Sequence, residues 1–392
     1  AKSKCSMAPK SHAARPARLR RCFTTLLFVS FYLCVGWLVC DAFWATVSLS
    51  TKPYRGRLHS GTPLTRATPR SVVTTNGTFH LEYHPSAWEN EWFRLSKRLA
   101  SGEESWREAC EQLRAEEEFI ERYLDVEQAR QQWTPEQTKA FRWEHDKAIS
   151  YFSVMDAQRN ELYQVPVEPL VGALRHPRFP CYGTAKAPSN AEKNPSKNAK
   201  DWLITSFGFE RIHTTGRALF FEVGGTGTYT GGEAGEGLQW FIERFDASGI
   251  RFDRVFAWEE KPQKHSQLFE GMPQPVLDSL SYYNVAPDAT LDAQHNPWRT
   301  LKSVAKEEDF VVVKIDIDDP EDENSLVDQL LLDESLRNLI DEFFIEHHVR
   351  MHPLSGSKPW TKILSGTKYT IWDSYDMLQE LRYDGIRAHS WI

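Results

Sequence analysis

From residue 218 onward, short apolar runs alternate with stretches of helical spacing, and this alternation constrains the chain more than any other feature. Ala218–Val223 reads as a buried strand, 237–245 as a helix, Arg254–Trp258 as a strand and 281–285 as a short strand. The strongly apolar run 309–317 is a further strand, 326–332 a helix, 342–348 a strand, 375–383 a helix and 386–392 a final strand. Parallel neighbours need a crossover connection, usually helical, so this order predicts an α/β domain with a parallel sheet flanked by helices.

The first strand opens directly into glycines. Gly224, Gly225 and Gly227 follow Val223, with more at 231, 232, 235 and 237. Glycine there supplies positive φ in the turn and lets the backbone approach a nucleotide-like ligand. The next strand ends at Glu259-Glu260, where an acid at the sheet edge is placed to accept hydrogen bonds from ribose hydroxyls. The distance from Val223 to Glu259 exceeds the usual spacing of about 20 residues, because the glycine loop is expanded. A dinucleotide fingerprint needs a third glycine where Thr230 stands, which disfavours hydride chemistry.

The ordered segments FFEVGGTG, FDRVFAWE, YYNV, DFVVVKIDIDDPE and DEFFIEHHV resemble S-adenosylmethionine-dependent methyltransferases. The likeness is to the FkbM-type group, which pairs a strand ending V-G-A-N-x-G with a later K-I-D-V-E-G-x-E. It covers residues 217–392 and implies a Rossmann-like methyltransferase sheet with S-adenosylmethionine as cofactor. On this resemblance Glu222, Gly224, Gly225 and Gly227 lie against the methionine part of the cofactor, Glu259 lies at its ribose, and Asp316 lies near the acceptor. Asp318 stands where the family has Glu, Asp319-Pro320 replaces Gly-x, and the asparagine of the glycine loop is absent. The implied activity is methylation of a hydroxyl on a glycan or similar acceptor.

Methyl transfer to a hydroxyl needs alignment of the acceptor and a base for its proton. Asp316, His347 and His348 are the base candidates, each at the end of an apolar strand. Strand alternation puts the two histidines on opposite faces, so at most one lines a site; Asp316 and His347 are the catalytic assignment. The competing reading for either ring is a histidine hydrogen-bonded in the core or rim.

Two other functions fit parts of the sequence. Asp316-Ile317-Asp318 has the D-x-D form by which type II glycosyltransferases hold a divalent metal on a sugar nucleotide, although the motif is short and leaves the glycine loop unexplained. A non-catalytic interaction protein, with the helical segment 86–150 as its binding surface, is the third reading, supported by the altered motifs alone. No residue is assigned as a metal ligand, because the acids of 316–323 lack the ligand spacing and central glycine of a calcium loop, and the later ones read as a solvated helix start.

The N-terminal part reads as a membrane anchor. Residues 1–22 form a basic tail without acids, and 23–47 carry a single charge, Asp41, over a length able to cross a bilayer core of about 30 Å. The bilayer is thus an expected partner, in type II orientation, with the remainder in the lumen of the Golgi or endoplasmic reticulum; a signal peptide or transit sequence is the competing reading. Residues 48–85 read as a flexible stem bearing the sequon Asn76-Gly77-Thr78, 86–160 as a helical accessory region, 161–216 as a Pro-rich connection and 217–392 as the methyltransferase-like domain. Trp88 and Trp92 recur at helical spacing and are read as core. Cys110 and Cys181 form one disulfide or remain two buried thiols. A net charge of -7 gives no basic surplus for nucleic acid.

Overall fold

The computed structural model describes residues 70–74, 77–98, 108–111, 116–130, 132–133, 137, 140–179, 199–205, 216–224, 229, 237–259, 264–350 and 367–391. The basic tail, the expected span 23–47, most of the stem, Asn76, Cys181, Gly225 and Gly227 lie outside the described residues. Among the described residues no helix is long and apolar enough to cross a membrane. Cys110 is disulfide-bonded.

A four-stranded antiparallel sheet comes first, in the order β1-β2-β3-β4. It consists of β1 (Arg70–Thr74), β2 (Gly77–His84), β3 (Ser150–Asp156) and β4 (Glu161–Val167), with α1 (Ala87–Arg98) and α2 (Glu117–Arg130) inserted between β2 and β3. This corrects the expected stem, helical region and connection: β1 and β2 fall within 48–85, β3 within 86–160 and β4 within 161–216. The physical reason is a period of two. Phe79, Leu81 and Tyr83 are buried alternately along β2, as are Phe152 and Val154 along β3, so each strand covers the core with one face. Trp88 and Trp92 of α1 are buried as core.

The second sheet is wholly parallel. Its strands are β5 (Ala218–Val223), β6 (Arg254–Trp258), β7 (Leu280–Tyr283), β8 (Phe310–Ile315), β9 (Glu342–Ile345) and β10 (Arg387–Ser390), in the order β10-β9-β8-β5-β6-β7. Counted within the sheet this is 3-2-1-4-5-6, the Rossmann order, in which the direction of winding switches between the first and fourth strands, here β5 and β8. The crossovers include α3 (Gly237–Ala247), α4 (Pro297–Val304), α5 (Pro320–Leu332) and α6 (Ile371–Tyr383). Every residue of β8 is buried, as expected of a strand covered on both faces.

Helix α5 starts where Asp319 accepts hydrogen bonds from the amides of Glu321 and Asp322 and Pro320 occupies the first turn. The acids 316–323 are therefore partly a helix start, but Glu323 is fully buried and turned inward rather than solvated.

A buried ionic network joins the two sheets. Arg382 of α6 donates to Glu168 Oε1 (2.8 Å), to the Glu168 carbonyl (2.7 Å) and to Tyr83 Oη (3.1 Å). Tyr83 in turn donates to Glu89, which also accepts from Ser150 Oγ (2.7 Å) and from the Leu170 amide (3.0 Å). His389 of β10 bridges Glu168 (2.8 Å) and Glu342 (3.0 Å). These charges are buried, and Arg382 of the second layer bonds both Tyr83 of the first and Glu168 after β4, so the network ties the two layers together.

Candidate functional site

The C-terminal edge of the parallel sheet gathers charge on one face. Glu222 of β5 stands in register with Lys314 of β8, and both are buried. Lys314 Nζ lies 3.0 Å from Asp316 and 3.5 Å from Glu222, and donates to the Gly224 carbonyl at 3.3 Å. One cation thus serves two carboxylates and favours the nearer. Burial alone would raise Asp316, but Lys314 and a hydrogen bond with Glu346 outweigh it and hold Asp316 down at about 2. For Glu222, burial prevails over Lys314, and repulsion from Asp316 and Glu259 adds to it, so its carboxyl is pushed up to about 7. Glu222 Oε2 has no hydrogen-bond partner among the described residues.

This predicts a pH signature. A carboxyl raised from its unfolded value of 4.5 binds its proton more tightly in the folded state, so the contribution of Glu222 to stability falls as pH rises from about 4.5 to about 7 and is level above. At about 1.4 kcal/mol per pKa unit, the loss is on the order of 3 kcal/mol. Glu222→Gln, which keeps a neutral side chain, is expected to lack this fall. Urea unfolding of both proteins at pH 5 and pH 8 checks it, and parallel profiles would refute the assignment.

Gly224 has a positive φ of 83°. A Cβ there would stand 2.7 Å from Ile317 Cα and 2.8 Å from the Asp316 carbonyl carbon. The glycine is required where the loop leaving β5 crosses the loop leaving β8, a backbone-to-backbone approach within the protein itself. The Gly224 amide donates to the Trp258 carbonyl (3.1 Å), and the Asp316 amide to the Val223 carbonyl (2.9 Å). Glu259 is buried at the end of β6, its amide donating to the Tyr283 carbonyl at 3.2 Å. Burial, then Glu259 and Glu222, raise the hydroxyl of Tyr282, whose oxygen is buried with no hydrogen-bond partner among the described residues. The structure therefore brings Glu222, Gly224, Glu259 and Asp316 to one edge, while Gly225 and Gly227 lie outside the described residues.

The two histidines have different surroundings. His347 is held between Ser374 Oγ and Asn324 Oδ1, both at 2.9 Å, one bond to each ring nitrogen. Burial and the neighbouring His348 push its pKa down to about 3. Both ring nitrogens are engaged by Ser374 and Asn324, the core or rim setting that stands beside the role of base expected from the sequence. His348 instead faces the carboxylates: Nδ1 donates to Glu323 at 2.7 Å, and Nε2 is 3.6 Å from Asp318. Burial opposes its charge, but Glu323, Glu346 and Asp316 outweigh that and raise it to about 9.

Glu346 follows β9, lies 3.4 Å from Arg175 and shares a hydrogen bond with Asp316. Burial and the Asp316 charge raise it well above the usual carboxyl range, so the proton shared by the pair resides on Glu346. Lys314, Glu346, Glu323 and Arg175 were not singled out from the sequence. Lys314 had a signal, since a lysine inside the apolar run FVVVKI demands a buried counter-charge; the others are brought together only by the crossovers.

Chemically, the edge offers an ionised carboxylate, a protonated carboxyl and an acid at the neighbouring strand end, at the switch point where open α/β sheets bind ligands. No family model matches the chain, no curated protein matches it, and no solved structure matches it.

Proposed function

We propose that the protein is a membrane-anchored, S-adenosylmethionine-dependent methyltransferase that acts on a hydroxyl of a glycan or similar acceptor. One observation carries the reading: the turn at Gly224, Glu259 at the end of β6 and Asp316 at the end of β8 converge on the switch point of a 3-2-1-4-5-6 parallel sheet. The order of strands is shared with dinucleotide-binding proteins, so the choice of cofactor rests on the resemblance of the motifs and on the missing third glycine. Residues 23–47 serve as the anchor, with the folded part in the lumen of the Golgi or endoplasmic reticulum.

When bound, the cofactor supplies an electrophilic methyl group on a sulfonium. Glu259 would accept hydrogen bonds from the ribose hydroxyls, and Gly225 and Gly227 would let the backbone lie close to the methionine part, while Gly224 holds the β5 loop against the β8 loop. Asp316, kept anionic by Lys314, accepts the hydrogen bond of the acceptor hydroxyl and orients its oxygen. Alignment of this kind supplies most of the rate in a transfer that needs no covalent intermediate. The D-x-D reading finds less support, because Asp316 is paired with Lys314 while Asp318 turns to His348, so the two do not face one ion.

Calorimetric titration of the full chain with S-adenosylhomocysteine tests the proposal. Binding is expected to weaken at least about tenfold in Glu259→Ala, the loss of about 1.4 kcal/mol that accompanies a removed charged hydrogen-bond acceptor, and to disappear in Gly225→Val. Binding unchanged by either substitution removes the assignment, and manganese-dependent binding of a sugar nucleotide in its place supports the glycosyltransferase.

A further inference from the structure

We propose that Asp318, Glu346 and His348 form a site for a divalent cation of the manganese or zinc class at the C-terminal edge of the parallel sheet. One ligand atom from each residue lies within 4.8 Å of the other two. Ligand bonds of about 2.1 Å place opposite ligands at most about 4.2 Å apart, so a small side-chain rotation closes the set on one ion. Asp318 is free to make it: its side chain is 55% exposed and stands on a residue of positive φ (63°) between β8 and α5.

The surroundings of His348 supply the independent argument. Its Nδ1 donates to Glu323 Oε2 at 2.7 Å, and Glu323 is itself fixed by the Ile317 amide, which donates to Oε1 at 3.1 Å. With Nδ1 engaged in this way, Nε2 is the ring atom turned toward Asp318, at 3.6 Å. A buried carboxylate holding the far nitrogen of a histidine is the outer-shell arrangement that orients imidazole toward a metal and sets its tautomer. Glu346 has equivalent support, from Arg175 at 3.4 Å and from its hydrogen bond with Asp316. Two of the three ligands thus have outer partners buried in the sheet edge, and the third is open to solvent.

The donor set selects the ion. Once the ion has displaced the protons of His348 and Glu346, one imidazole nitrogen with two carboxylates suits manganese, zinc or ferrous iron better than calcium or magnesium, which take oxygen alone. Three protein ligands leave coordination positions open, as in sites where a metal meets a substrate rather than in closed structural sites. Asp316 is hydrogen-bonded to Glu346, one of the three ligands, so an acceptor oxygen held by Asp316 would be in the neighbourhood of the ion. The cation site itself does not depend on the identity of the organic cofactor.

The test is an electron paramagnetic resonance titration of the full chain, stripped of metal, with Mn²⁺ alone. One ion per chain is expected, with a pulsed-spectrum coupling to imidazole nitrogen that is lost in His348→Gln. Asp318→Asn, an exposed change that leaves thermal unfolding in place, is expected to weaken Mn²⁺ at least about tenfold, and Glu323→Gln to weaken it in the same range through the orientation of the ring. Glu270→Gln, an exposed acid elsewhere, is expected to change nothing. Absence of Mn²⁺ and Zn²⁺ binding, absence of nitrogen coupling, or equal binding by the wild-type and Asp318→Asn proteins overturns the site and leaves an ion-pair network only. Retained Mn²⁺ binding with no S-adenosylhomocysteine binding leaves the cation site standing and removes the methyltransferase reading alone.

Discussion

Arg382→Met is expected to destabilise the protein by about 3–5 kcal/mol, a large part of the 5–15 kcal/mol that holds a typical domain folded. The guanidinium is wholly buried and supplies hydrogen bonds to Glu168, to Tyr83 and, through Nε, to the Ala388 carbonyl at 2.9 Å. Methionine fills a similar volume but leaves the buried Glu89 without its cation, 3.8 Å away in the wild type, and leaves Glu168 with His389 in place of two basic partners, the arrangement that makes removal of one partner so costly. The effect should be felt at the junction of the two sheets, because Tyr83 and Glu89 belong to the first layer and Arg382 and His389 to the second. Urea unfolding followed by tryptophan fluorescence measures it. The double change Arg382→Met with Glu168→Gln should recover part of the loss, since it removes a stranded charge; a loss below about 1 kcal/mol in the single variant would show that the network is not a structural lock.

Gly224→Ala is the second large effect, expected to cost about 2–5 kcal/mol from two sources. An alanine at a φ of 83° is strained, and its Cβ meets backbone rather than a yielding side chain. The loops after β5 and β8 must separate, which moves Asp316 and weakens the bond from its amide to the Val223 carbonyl. Thermal unfolding reads the stability, and the same variant should lose ligand binding in whatever fraction remains folded. An alanine variant of unchanged stability would mean that the two loops are not held together as described.

The parallel sheet was legible because its strands are apolar runs bounded by turn residues. Ala218–Val223 and Arg254–Trp258 were read with the bounds they have, and the later strands within a few residues. The run 309–317 was read too long at its C-terminal end: Asp316 leaves the strand ladder although Ile317 continues the apolar pattern, and its amide turns to Val223. The antiparallel sheet was missed for a different reason. In GTFHLEYH the buried Phe79, Leu81 and Tyr83 alternate with polar residues, which lowers the average hydrophobicity, and in SYFSVMD the buried set itself includes Ser150 and Asp156, which blurs the apolar face.

For the site, positions close to a strand end were readable and partnerships across crossovers were not. Glu259 and Asp316 fall at strand ends, where the sheet edge binds ligands. Gly224 was read as room for a ligand, whereas its space is taken by the backbone of Asp316 and Ile317. Alternation separates His347 from His348, but choosing between them required knowing that Ser374 of α6 and Asn324 of α5 enclose the first and Glu323 the second. Those partners come from separate elements, and a linear sequence carries no sign of their meeting.

The most direct measurement of the central claim is amide hydrogen exchange of the full chain with and without S-adenosylhomocysteine. Slowed exchange is expected in peptides covering 218–236 and 254–264, with little change in the antiparallel sheet. Unchanged exchange at saturating ligand, or protection confined to other regions, would contradict it.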